Sequence, residues 1–152
     1  MVRVAVTVPF LVMSLAQTVL LFAAGRVLFG MSWGPRPLLL LPVMLGTSMA
    51  ATSLGLLVAT LVRNDSQVSA YGNALVLIMA GIIGCLMPRS WQPALMQQLG
   101  LGTPHAWALI AYDQLLNRDI PNLLAVWRCC GMLVGFALSF FAVAWWRFRT
   151  LE

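Results

Sequence analysis

The sequence has no lysine; all nine of its basic residues are arginine. That excludes Schiff-base chemistry and the lysine of a phosphate loop, whose Gly-x-x-x-x-Gly-Lys-Ser/Thr pattern is also absent. Carboxylates are scarce too, four in 152 residues. The single histidine, His105, has Asp113 as its nearest carboxylate in sequence, and no serine is placed to complete a hydrolytic triad. Nothing argues for an enzyme. Three cysteines, Cys85, Cys129 and Cys130, lie in or beside apolar runs, without metal-ligand spacing to His105. They read as small hydrophobes, and neither a cofactor nor a metal site is expected. The +5 charge could suggest nucleic acid, but the arginines stand singly between apolar runs and form no basic stripe.

Charge as a whole is the largest deficit. Only 9% of residues are charged and 61% are hydrophobic, against about 25% and about 45–50% in a soluble domain. The mean hydropathy of +0.91 agrees. So few charges cannot cover a water-facing surface, so the surrounding solvent must be largely lipid.

What is present is a series of apolar runs near the length of about 20 residues that a spanning helix needs. Four are read, over about 4–26, 37–62, 68–87 and 123–146. The first holds Pro9 and a polar strip of Ser14, Gln17 and Thr18, and ends at Arg26, placed to snorkel. It is longer than a typical signal core and is not followed by a small-x-small cleavage region. A turn containing Gly30, Trp33, Gly34, Pro35 and Arg36 separates it from the second run. Arg63 to Gln67 makes a short hydrophilic turn, so the second and third helices are expected as antiparallel neighbours. Trp145 and Trp146, beside Arg147 and Arg149, form an aromatic collar suited to a membrane interface. Residues 88–121 are too polar and too broken to cross. Trp91 to Leu99 and His105 to Leu116 read as two short helices, interfacial or re-entrant, around Gly100, Gly102 and Pro104. The fold class is therefore all-α and integral to the membrane: one domain over residues 1–152, with about four spans and a short helical hairpin before the last.

Two small-residue stripes stand out, each at four-residue spacing: Thr47, Ala51, Gly55 and Ala59 in the second run, and Gly131, Gly135 and Ser139 in the fourth. Residues so spaced share one helix face, and small ones let helix backbones approach closely in lipid. Two readings stand: bundling within the chain, or a subunit interface. Arg26, Asp113 and Arg128 lie near segment ends, where snorkelling or a salt bridge accounts for them.

Three stretches resemble the C-terminal part of the type-2 ABC-transporter permease family, the membrane subunits of bacterial exporters. They are Thr47 to Asp65, TSMAATSLGLLVATLVRND; Gly81 to Pro93, GIIGCLMPRSWQP; and Thr103 to Leu116, TPHAWALIAYDQLL. Together they cover roughly residues 40–146. The resemblance implies a permease that moves a substrate across the bacterial cytoplasmic membrane, with a dimer of permease domains and separate ATPase subunits. It makes residues 88–121 a re-entrant hairpin on the exit side, with Pro88, Trp91, Pro93, Pro104, His105 and Trp107 as its marked positions. It places the C-terminus in the cytoplasm. That puts Arg3, Arg63, Arg147 and Arg149 inside, and Arg36, Arg89 and Arg118 outside, with Arg26 and Arg128 near the outer face. The arginine count does not itself favour this orientation. Six spans are expected of the family and four are read here, which implies a fragment, a truncated frame or a split permease. Ser48, Thr52, Ser69 and Asn73 are the expected substrate-path residues, as hydrogen-bonding groups at depths where lipid offers none. Non-transporting scaffold and small ATP-independent exporter are the alternative functions.

Overall fold

The computed structural model describes residues 2–62, 65–83 and 91–150. Every regular element among them is helical: α1 (Val2–Phe29), a 3₁₀ turn (Pro37–Leu39), α2 (Leu40–Ala59), α3 (Asp65–Ile83), α4 (Ala94–Gly100), α5 (Pro104–Leu116) and α6 (Leu123–Thr150). Three stretches are long and apolar enough to cross a membrane, Thr7–Phe29, Pro37–Ala59 and Leu123–Arg147. α3 carries a shorter apolar stretch, Ser69–Met79. Residues 84–87 of its expected span lie outside the described residues.

The helix ends have identifiable causes. Gly30 sits at φ +63°, and its N–H returns to the Arg26 carbonyl oxygen at 3.1 Å. This is the left-handed cap that ends a helix at glycine. It places Arg26 in the last turn of α1, where a cation suits the negative end of the helix dipole. Pro37 opens the next helix at its first turn, where a missing N–H costs nothing. α2 stops at Ala59, short of the expected residue 62. There the Thr60 hydroxyl donates to the Leu57 carbonyl oxygen at 2.6 Å and closes the last turn.

Packing centres on α2, α5 and α6. Leu40, Val43 and Met44 meet Ala111, Leu115, Val126, Cys129 and Cys130 in one cluster. Ala50 meets Ala108, Leu133 and Ala137 in the next. The order of these contacts makes α2 and α6 parallel and α5 antiparallel to both. The buried face of α5 is Pro104, Ala108, Ala111 and Leu115, one helical stripe of mostly small residues. That stripe lets a third helix lie close to two others. Opposite, Gly46 brings α2 close to α6, because a Cβ there would sit 3.3 Å from the Leu133 Cβ. α3 joins through Met79, which is buried with Ala106.

Burial is otherwise inverted relative to a soluble protein. Phe10, Met13, Leu20, Leu21, Leu28 and Phe29 are all exposed on α1. Lipid is the solvent that accepts such a surface. Charges collect at two ends of the bundle. Arg26, Arg36, Asp113, Arg118, Asp119 and Arg128 lie where α1 and α5 end and α2 and α6 begin, and Arg147 and Arg149 lie in the last turn of α6.

Candidate functional site

α1 and α2 cross antiparallel and diverge toward the N-terminal end of α1. The divergence leaves an open cleft of about 470 Å³, lined by Phe10, Met13, Ser14 and Gln17 from α1 and by Ala51, Thr52, Gly55, Leu56 and Ala59 from α2. The small stripe of α2 is what makes the space. Gly55 is exposed, and a Cβ built on it would meet nothing within 4 Å. Opposite it, α1 presents the apolar Phe10 and Met13 beside the polar Ser14 and Gln17.

Two hydroxyls beside this cleft, outside its lining, bond to their own helix. Thr18 Oγ1 donates to the Ser14 carbonyl oxygen at 2.8 Å, and Thr47 Oγ1 to that of Val43 at 2.7 Å. Such back-bonding lets a hydroxyl sit in hydrocarbon without water. Gln17 differs. It is exposed and faces the cleft, and its amide has no hydrogen bond to any described residue. In a medium without water an unpartnered amide is costly. The cleft is therefore mostly apolar, with the Gln17 amide and the Ser14 and Thr52 hydroxyls available to orient an occupant, the usual pattern of a small-molecule site.

The expected path residues are not brought together. Thr52 lines the cleft. Ser48 is 1% exposed, with no partner for its hydroxyl, and it is not among the lining residues. Ser69 and Asn73 are exposed on α3, outside the cleft. Of the packing stripes, Ala51, Gly55 and Ala59 line the cleft. Gly131, Gly135 and Ser139 are exposed on α6, and Ser139 Oγ donates to the Gly135 carbonyl oxygen at 2.8 Å. The close contacts within the chain use Gly46, Ala50, Ala108 and Ala137 instead. Ser14 and Gln17 stood out as a polar strip in an apolar run, but their pairing with α2 follows only from the helix crossing.

The second feature is the α4–α5 hairpin. Its turn satisfies its own backbone. The Thr103 N–H and hydroxyl both donate to the Gly100 carbonyl oxygen, at 2.9 and 2.7 Å, and Gly102 N–H donates to that of Leu99 at 3.1 Å. The Trp107 indole N–H donates to the Leu101 carbonyl oxygen at 2.9 Å. Pro104 opens α5 and is buried, and His105 is half-buried, with its Nδ1 unpartnered. Trp91 and Pro93 are exposed, with Pro93 preceding α4. Pro88 lies outside the described residues. Non-helical backbone is tolerated at membrane depth when its polar groups are satisfied within the protein, and this turn meets that condition.

Comparison with known proteins agrees with this architecture. The family model described as "ABC-2 type transporter" matches residues 3–116. The linearmycin resistance permease protein LnrN of Bacillus subtilis (strain 168) is 27% identical over 135 residues, which is 88% of this chain and 34% of that protein. The chain thus spans about a third of the length of this curated relative. No solved structure matches.

Proposed function

This chain belongs to the ABC-2 type transporter family, and on that footing we propose that it is a permease subunit of an ATP-binding-cassette exporter, energised by a separate ATPase. That it is a multi-pass membrane part of a transporter follows from the family together with helices long enough to cross a bilayer. The export direction, the ATPase partner and pairing with a second permease domain are the proposed part. The match over residues 3–116 is the observation that carries it.

Within this reading the α1–α2 cleft is the section of the cargo path that this chain contributes. Its lining suits an apolar molecule with a few hydrogen-bonding groups, which Gln17 and Thr52 would orient. Helix tilting during the ATPase cycle would open and close it. A relative that is a resistance permease supports cargo of that character.

Two measurements test the proposal. Deleting the chain's coding sequence should abolish ATP-dependent export in the parent cell, and intact export would leave only a scaffold role. Gln17→Leu or Thr52→Val should lower export at least severalfold while membrane abundance stays unchanged. Proton-coupled export without an ATPase gains no support, because such carriers keep a carboxylate inside a span. Here Asp113 and Asp119 lie at one end of the bundle, Asp65 opens α3, and Glu152 is the final residue.

A further inference from the structure

We propose that the corner between the end of α1 and the start of α2 holds one anionic phospholipid, its phosphate on Arg26 and its first methylenes in the slot below. The Arg26 guanidinium carbon lies 5.1 Å from the centroid of the Trp33 ring. The Trp33 indole N–H donates to the Phe22 carbonyl oxygen at 3.3 Å, which fixes the ring against α1. Phe22 in turn packs against Tyr112 of α5, with ring centroids 5.3 Å apart and planes tilted by 44°. The aromatic platform is therefore tied to two helices and is not a loose loop side chain.

Beside this platform lies a second cavity, of about 100 Å³, on the other flank of α1 from the large cleft. Val19, Phe22, Trp33, Leu40, Leu41 and Met44 line it. Its size matches about three water molecules at about 30 Å³ each, but an apolar slot of this kind does not hold water. It has room for a short run of methylenes.

Charge selects the headgroup. Arg26 is exposed and has no carboxylate partner among the described residues. Of the two carboxylates at this end, Asp113 has Oδ2 at 3.9 Å from Arg118 Nε, and Asp119 lies in the loop between α5 and α6; neither is paired with Arg26. Arg36 is also exposed and directly precedes Pro37, another residue of the slot wall. A guanidinium held over an indole by a cation–π contact still has N–H groups to offer a phosphate. Two unneutralised arginines favour a headgroup with net negative charge over a zwitterionic one, whose ammonium they would repel. Free phosphate would use the arginines alone and leave the slot empty.

The test uses the full chain purified in detergent and titrated with phosphatidylglycerol, phosphatidylcholine or inorganic phosphate. Thermal unfolding and native mass spectrometry would follow binding. Phosphatidylglycerol should bind roughly tenfold tighter than phosphatidylcholine, the worth of one charge-assisted contact, and inorganic phosphate should give no stabilisation. Arg26→Gln should remove the tenfold preference. Met44→Trp, which fills the slot and keeps both arginines, should weaken phosphatidylglycerol without removing the preference for anionic headgroups. Equal binding of the two lipids to the unaltered chain would overturn the proposal. So would phosphate matching phosphatidylglycerol, or both variants binding as the unaltered chain does.

Discussion

Gly34 shows how much one residue can decide here. It sits at φ +71°, and a Cβ added to it would run into the Leu115 carbonyl oxygen. The loop after α1 thus rests its backbone directly on the end of α5. Gly30 has a similar φ, +63°, but open space around it. Gly30→Ala should therefore cost about 1–2 kcal/mol for the left-handed backbone alone. Gly34→Ala should cost clearly more, because the collision is added, and unfolding in detergent would compare them; equal losses would refute the close approach. Trp107 is a second such residue. Trp107→Phe keeps most of the ring but leaves the Leu101 carbonyl oxygen without its indole donor, for an expected loss of about 1–3 kcal/mol. No loss would mean that the hairpin turn does not depend on that bond. The glycines and tryptophans were visible in the sequence. Which glycine touches another helix was not, because the Leu115 carbonyl lies about 80 residues further along the chain.

At the scale of elements, several helix ends have a local chemical cause. Proline and glycine set them, and apolar length set which helices can cross. The two short helices between α3 and α6 fall where Gly100, Gly102 and Pro104 break the pattern. The choice of packing face was not legible. Gly131, Gly135 and Ser139 form the most regular small stripe of α6, yet they face outward, while Cys129, Leu133 and Ala137 face inward. In lipid both faces of a helix are apolar, so the hydrophobic contrast that marks an inner face in water is missing. The α2–α6 contact supplies a test. Leu133→Ala should cost about 2–4 kcal/mol by opening a cavity, and Gly46→Leu should destabilise by forcing the helices apart. Because the two sites touch, Gly46→Ala should be better tolerated beside Leu133→Ala than alone, with a coupling of about 0.5–3 kcal/mol. Strict additivity would argue against the observed contact.

For the whole molecule, the arginines among the described residues sort to the two ends of the bundle, which is how a spanning protein meets two headgroup layers. Single cysteines at Arg36 and Arg118, with Cys85, Cys129 and Cys130 replaced by alanine, should react with a membrane-impermeant maleimide from the same side. A cysteine at Arg147 should react only from the other. Equal reaction of all three in sealed cells would refute the arrangement. The sequence alone determined that this chain lives in a bilayer and that it is helical, because those outcomes depend on local composition and on backbone hydrogen bonding without water. Only the tertiary structure decided that α5 packs against both α2 and α6 where they meet, that Gln17 and Thr52 share one cleft while Ser69 and Asn73 do not, and that Arg26 lies over Trp33. Those facts depend on how helices cross, and crossing is set by shape between distant segments, which apolar periodicity does not encode when the solvent is apolar too.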